Sequence, residues 1–219
     1  MPAVLFDVDG TLVTFEFDVP GAKKALVEEM TRMGIDTSDV SLTSPIQAII
    51  DAARLKVQRG RDDADFAPLK RRLYAILDDF EVESSSKSTM FPGTKKTLLY
   101  LRSRSVRLGV FTNSGRRAAY SLLRNGGIFE CFDFVLTRED VDTMKPSPAG
   151  ILKALERFSL PKEEVCYVGD GIFDITAARA AGLKVVSVAT GNYTPERLRK
   201  EGADFVISSL AELPGILGV

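Results

Sequence analysis

The chain has 219 residues, of which 45% are hydrophobic and 27% are charged, an ordinary composition for a globular protein. Its formal net charge of −1 gives no overall attraction to nucleic acid or to an anionic membrane, and we expect neither as a partner. Because the chain has no histidine, a Ser-His-Asp triad, a Cys-His dyad, a phosphohistidine intermediate and a histidine-ligated zinc site are all excluded.

The two cysteines and the lengths of the apolar runs indicate a compartment. Cys131 and Cys166 both lie in apolar surroundings, which is typical of buried free thiols in a reducing compartment. The sequence begins with a strand-like pattern rather than a signal peptide, and it contains no apolar run of about 18 residues. We therefore expect a cytoplasmic protein that does not span a membrane.

The first element in chain order is an apolar run at Ala3–Phe6, which predicts a strand buried on both faces. Asp7 and Asp9 follow this strand two residues apart, so both side chains can point to one site beyond its carboxyl end. Open α/β sheets bind their ligands at that edge. Two carboxylates this close repel each other unless a cation or a shared proton lies between them. At this point a solvated Asp-Gly turn remains the alternative.

The pattern then changes from strand to helix. Apolar residues at helical spacing predict helices over about 20–33, 45–60 and 65–80, and the polar segment 83–89 predicts a hinge. This organisation is that of an insert that leaves the main domain and rejoins it. We expect an all-helical cap domain over 15–89 and a core domain formed by 1–14 and 90–219.

From residue 91 onward strands and helices alternate, which is the signature of an α/β domain. The expected strands, each followed by a helical or turn segment, cover 106–111, 132–136, 165–168, 184–188 and 204–207. Right-handed crossovers between them predict a doubly wound, mostly parallel, Rossmann-like sheet.

Polar groups stand at or just beyond the carboxyl ends of these strands. Thr112 follows one strand, Lys145 follows another, and Asp170 and Asp174 follow a third, four residues apart on one helix face. Taken singly, the threonine is a helix N-cap, the lysine is solvated, and the acidic pair offsets a helix dipole. Together they form a cradle for a cation and a phosphate group, and an all-oxygen ligand set favours Mg²⁺.

These residues are also motifs of a known family. The sequence DVDGT at Asp7–Thr11, TNS at Thr112–Ser114, KP at Lys145–Pro146 and GDGIFD at Gly169–Asp174 occur in the order in which the haloacid dehalogenase-like superfamily has them. The chain resembles its phosphatase branch with a helical cap of the C1 type, and phosphoglycolate phosphatase-like members are the nearest likeness.

The resemblance implies a mechanism. Asp7 would attack phosphorus, and Asp9 would protonate the leaving alcohol and later activate the water that hydrolyses the aspartyl phosphate. Mg²⁺ would be held by the side chains of Asp7 and Asp170 and by the backbone carbonyl of Asp9. Asp174 would act through a water molecule or by contacting the metal ligands rather than the metal.

The remaining family positions imply how the substrate is bound. Thr112, the backbone of Asn113 and Lys145 would clamp the non-bridging phosphate oxygens. We therefore expect a Mg²⁺-dependent hydrolase of a small phosphate monoester, acting as a monomer or a homodimer. A phosphomutase acting on a sugar phosphate and a non-catalytic phospho-ligand-binding protein remain as alternatives.

A basic cluster in the helical insert is a candidate for specificity. Arg54, Arg59 and Arg61 surround the expected end of its second helix. They either offset the negative end of the helix dipole or pair with a second anionic group on the substrate, such as a carboxylate.

Overall fold

The computed structural model describes residues 2–14, 16–58 and 66–219. The chain divides into two compact units, each with its own packing. One unit combines Met1–Phe15 with Lys87–Val219, and the other is the continuous segment Glu16–Ser86.

The first unit is built on a six-stranded sheet in the order β3-β2-β1-β4-β5-β6. The strands are β1 (Ala3–Phe6), β2 (Arg107–Phe111), β3 (Phe134–Leu136), β4 (Val165–Gly169), β5 (Lys184–Val188) and β6 (Phe205–Ile207). All five neighbouring pairs are parallel. The prediction of a doubly wound parallel sheet is therefore confirmed, and each strand lies within two residues of its expected bounds.

Alternation of side chains along the strands supplies two cores. Val4 and Phe6 of β1 belong to one apolar cluster, and Ala3 and Leu5 belong to the other. Helices cover both faces, which explains why all four residues of β1 are buried. The helices of this unit are α4 (Thr94–Ser103), α5 (Arg116–Asn125), α6 (Ala149–Phe158), α7 (Ile172–Ala180), α8 (Pro195–Glu201) and α9 (Leu213–Leu217).

The strand order places the site of interest. The chain winds from β1 through β2 to β3 on one side, and then crosses back to β4, β5 and β6 on the other side. The direction of winding reverses between β1 and β4, which pair in register at Phe6 and Val168. In open α/β sheets the carboxyl ends of strands at such a reversal form a crevice that binds ligands.

In the described part of the second unit the regular elements are helices: α1 (Val19–Arg32), α2 (Ile46–Gln58) and α3 (Phe66–Ser85). Leu26, Ile50 and Leu73 are among the apolar residues buried on their inner faces. Across the described residues of the chain, no helix has the length and apolar character needed to cross a membrane.

The predicted hinge over 83–89 is wrong in its first part, because α3 continues to Ser85. The side chain of Ser85 is buried, and its hydroxyl donates a hydrogen bond of 2.8 Å to the backbone carbonyl of Val82. Bonding back to the preceding turn lets a serine stay within a helix, although serine clusters are more typical of loops.

Candidate active site

The loop after β1 turns tightly and brings two carboxylates to the edge of the sheet. The backbone N–H of Asp7 continues the ladder to Val168 O at 2.9 Å, so its position is fixed by the sheet. Gly10 then adopts a φ of +77°, a conformation that glycine takes without strain. The backbone N–H of Leu12 returns to Val8 O and closes the turn.

Lys145 lies at the centre of the site, although it is far from the other site residues in sequence. Its buried Nζ donates hydrogen bonds to Asp7 Oδ1 at 2.6 Å, to Asp174 Oδ1 at 2.7 Å and to Tyr167 Oη at 2.9 Å. An ammonium group has three N–H bonds, and all three are used here. The same nitrogen lies 5.6 Å from the ring centroids of Phe111 and Tyr167.

The charges of this network depend on one another. Burial raises the pKa of Asp7 above its ordinary value, and the nearby Lys145 ammonium offsets part of that rise. Burial alone would lower the pKa of Lys145, but the carboxylates of Asp174 and Asp7 outweigh it and raise that pKa. The ammonium is thus held charged by the acids that it joins.

Three carboxylates of the site could hold a metal ion. One oxygen from each of Asp7, Asp170 and Asp174 lies within 4.8 Å of the others. This all-oxygen donor set fits a hard divalent cation such as Mg²⁺ better than zinc or copper. The Lys145 ammonium already bridges two of the three carboxylates and offsets part of their negative charge.

Within the part of the chain that the structure describes, Asp174 differs from the other two acids because protein donors contact both of its oxygens. Oδ1 accepts hydrogen bonds from Lys145 and from Tyr167 Oη at 2.9 Å, and Oδ2 accepts one from Gly171 N at 3.0 Å. The residue is buried in the first turn of α7, where the helix dipole favours an anion.

The carboxylate of Asp9 is engaged separately from this group. Its Oδ2 accepts a hydrogen bond of 2.5 Å from Ser114 Oγ, which lies in the loop after β2. Burial raises the pKa of Asp9, while the Ser114 bond and the Lys145 charge lower it in part.

The loop after β2 also fixes the segment that carries Lys145. The side chain of Asn113 accepts a bond from Lys145 N at 2.8 Å and donates one to Lys145 O at 3.1 Å. The Lys145–Pro146 peptide bond is cis. Thr112 is buried, and its Oγ1 accepts a bond from Ser114 N at 3.0 Å. All of the strand-end residues expected from the sequence therefore lie at one edge of the sheet.

The side chains of Tyr167 and Ser114 contact these groups, and neither was predicted to do so. Tyr167 lies within β4, where strand alternation indicates a plain core position and gives no sign of its hydroxyl contacts. Ser114 is the third residue of the TNS segment, so its sequence neighbourhood could have suggested its contact with Asp9.

The basic cluster of the helical unit can be described only in part. Arg54 lies on α2, within the described residues. Arg59 and Arg61 lie outside them, so their proposed role as a cluster stays a prediction.

Comparison with known proteins shows the family to which the chain belongs. A model of the haloacid dehalogenase-like hydrolase family matches residues 1–182. A phosphoglycolate phosphatase of Nitrosococcus oceani is 29% identical over 98% of this chain and 95% of its own. A phosphoglycolate phosphatase of Photorhabdus laumondii is 30% identical over 99% of this chain and 92% of its own.

A solved structure is similar over the same extent. A haloacid dehalogenase-like hydrolase from Bacteroides fragilis covers 97% of this chain and 99% of its own, with a TM-score of 0.68 and 26% identity. The match to the family model covers well over half of the chain, including all the strand ends that carry the site. This protein therefore belongs to the haloacid dehalogenase-like hydrolases.

Proposed function

We propose that this hydrolase cleaves a small phosphate monoester through an aspartyl phosphate on Asp7, with Mg²⁺ as its metal ion. One observation carries the proposal. The Asp7 carboxylate is buried against the Lys145 ammonium and belongs to a group of three carboxylates. This group lies at the carboxyl edge of the sheet, where the direction of winding reverses between β1 and β4. Such a site combines a nucleophile with positive charge for the phosphoryl oxygens.

Asp7 is suited to the attack on phosphorus. Among the described residues, Oδ1 of Asp7 accepts the Lys145 bond, which leaves Oδ2 to form the new bond to phosphorus. The ester P–O bond breaks on the opposite side, and the leaving oxygen takes a proton from Asp9. In the second step Asp9 removes a proton from water, whose oxygen attacks the aspartyl phosphate and frees inorganic phosphate and Asp7.

Asp9 meets two requirements of an acid that later acts as a base. Burial raises the pKa of Asp9, which favours the protonated form needed to release the alcohol. Ser114 Oγ holds one carboxylate oxygen at 2.5 Å and so fixes the orientation of the group.

Lys145 is proposed to bind a phosphoryl oxygen together with the Thr112 hydroxyl and the Asn113 backbone. Because Asp7, Asp174 and Tyr167 take all three N–H bonds of Lys145, the lysine must exchange one of them for the substrate.

The metal ligands are proposed to be the carboxylates of Asp7 and Asp170 and the backbone carbonyl of Asp9. Asp174 is proposed to contact these ligands or a metal-bound water rather than the metal itself. The engagement of both Asp174 oxygens by protein donors supports that difference. When bound, Mg²⁺ supplies positive charge that neutralises the phosphoryl oxygens.

The names of the relatives suggest the substrate class. Both curated relatives described above are phosphoglycolate phosphatases, and a small acidic phosphate ester is accordingly the proposed substrate. The helical unit is proposed to be the cap domain of this family, and the cytoplasm is the proposed compartment.

The test is the release of inorganic phosphate from 2-phosphoglycolate and from p-nitrophenyl phosphate. Asp7→Asn should lower turnover on the order of a thousandfold or more, because an amide can neither attack phosphorus nor supply the same charge. Asp51→Asn, which changes an exposed acid on α2, is the matched control and should retain full activity. Full activity of Asp7→Asn, or of the wild type in excess EDTA, would refute the mechanism. Formation of an isomer from a sugar phosphate, without free phosphate, would identify a mutase instead.

A further inference from the structure

The loop after β5 carries no charged residue, yet it contacts the site at two points. β5 is the parallel neighbour of β4, with Ser187 opposite Gly169. Their carboxyl ends therefore emerge side by side, and the segment Thr190–Gly191 lies next to Asp170.

The first contact joins this loop to the loop after β1. Thr190 Oγ1 donates a hydrogen bond of 2.6 Å to the backbone carbonyl of Gly10. Gly10 directly follows Asp9, whose backbone carbonyl is one of the proposed metal ligands. Thr190 therefore ties the two loops together beside the carboxylate group.

The second contact is a close approach that only glycine permits. A Cβ atom added to Gly191 would lie within 3.0 Å of both Oδ2 and Cγ of Asp170. Gly191 is not among the glycines with a positive φ, so its backbone conformation is open to alanine. The space taken by the Asp170 carboxylate is thus what requires glycine at position 191.

The same carboxylate lies close to Gly10 as well. A Cβ added to Gly10 would lie within 3.0 Å of both Asp170 oxygens, and Thr11 Oγ1 donates to Asp170 Oδ1 at 3.4 Å. Asp170 is thus in close contact with two loops that Thr190 ties together, and its room to adopt another position is restricted.

We propose that Thr190 and Gly191 are positioning residues that fix the Asp170 carboxylate and thereby set the affinity of the site for its divalent cation. The inference rests on the proposed function, in which Asp170 is a metal ligand. The inference assigns a role to the loop after β5, which contributes none of the proposed metal ligands. Groups that orient metal ligands typically change metal affinity by about 10–100-fold when altered.

The experiment measures metal binding directly rather than activity. Mn²⁺ is titrated into each substrate-free protein, the free ion is followed by its electron paramagnetic resonance signal, and Mg²⁺ is then used to displace it. Gly191→Ala should weaken binding of both ions by about tenfold or more, because the added methyl group pushes the carboxylate from its place. The thermal unfolding midpoint of each protein is recorded as well, so that a loss of affinity can be separated from a loss of stability.

Two further comparisons make the result specific. Gly215→Ala is the matched control, because a Cβ at Gly215 meets nothing within 4 Å, and it should bind the ions as the wild type does. Thr190→Val removes the donor to Gly10 and should weaken binding severalfold, whereas Thr190→Ser retains a hydroxyl and should not. This threonine pair decides the question if Gly191→Ala does not fold.

The outcomes separate the inference from the proposed function. If the wild type binds neither ion, or Asp170→Asn binds them as the wild type does, the metal site of the proposed function is wrong. If Asp170→Asn loses binding while Gly191→Ala and Thr190→Val keep wild-type affinity, only the positioning role is overturned. A lower unfolding midpoint of Gly191→Ala with unchanged metal affinity would likewise show that Gly191 contributes only to the packing of its loop.

Discussion

Replacing Tyr167 by phenylalanine would remove one oxygen from the network around Lys145 and leave the aromatic ring in place. The hydroxyl accepts a bond from Lys145 and donates to Asp174, each at 2.9 Å, and it lies 3.3 Å from Phe111 O. The ring is fully buried in the apolar cluster on one face of the sheet. The substitution therefore tests the polar contacts almost without changing the packing.

The size of the effect follows from the partners of this hydroxyl. A hydrogen bond to a charged group contributes about 1.5–3 kcal/mol, and a buried donor left without an acceptor costs a similar amount. Two such bonds are lost, but the direct bond between Lys145 and Asp174 remains at 2.7 Å, so the loss is less than the full sum. We expect the free energy of unfolding to fall by about 2–4 kcal/mol. Turnover should fall about tenfold or more, because the Lys145 ammonium loses one of the three partners that fix its position.

Urea unfolding and steady-state release of phosphate measure the two effects. The control is Tyr120→Phe, which removes a hydroxyl from a half-buried ring that packs on Phe129, and it should change neither quantity appreciably. An unfolding free energy within about 0.5 kcal/mol of the wild type, with unchanged turnover, would show that the hydroxyl contributes nothing to the network.

Three further predictions concern other parts of the core unit. Ser114→Ala removes the donor to Asp9, and turnover should fall more for an alkyl phosphate than for p-nitrophenyl phosphate, whose leaving group needs no proton; equal losses would remove the link to the acid. Burial raises the pKa of Cys166 to about 12, so only on the order of one thiol in ten thousand is ionised at pH 8, and a disulfide reagent should label this residue only after denaturation. Gly150→Ala places a Cβ within 3.0 Å of the buried Phe111 ring and should destabilise the protein by about 1–3 kcal/mol in urea unfolding, while a stability equal to that of the wild type would contradict this packing.

The sheet could be predicted from the sequence because its strands are short apolar runs bounded by turn residues. The run at Ala3–Phe6 is buried on both faces, and its shortness favours a strand over a buried helix. The expected hinge at 83–89 was wrong at its start because Ser85 bonds within its own helix, a choice that composition does not reveal.

Sequence order also placed polar groups at the strand ends, because parallel strands bring their carboxyl ends to one edge. It could not give the partners of Lys145, since the orientation of a long side chain depends on packing by distant strands. Nor could it distinguish the Tyr167 hydroxyl from a core contact, because the period of the strand fixes the face of a residue and not what its tip reaches. The sequence pattern also could not predict the close approach of Gly191 to Asp170, because the two residues lie in different loops.

The position of β1 has a consequence for how the chain folds. Its neighbours β2 and β4 pair with it through Val110 and Val168. The central strand therefore cannot pair until these residues, which are synthesised much later, have been made. The helical unit, in contrast, consists of consecutive residues, so its internal contacts close within Glu16–Ser86. Domains rich in local contacts fold faster than those that depend on distant pairing. On the ribosome, the helical unit can therefore form while β1, already synthesised, still has two unpaired edges, and such edges can pair with other chains before the sheet closes.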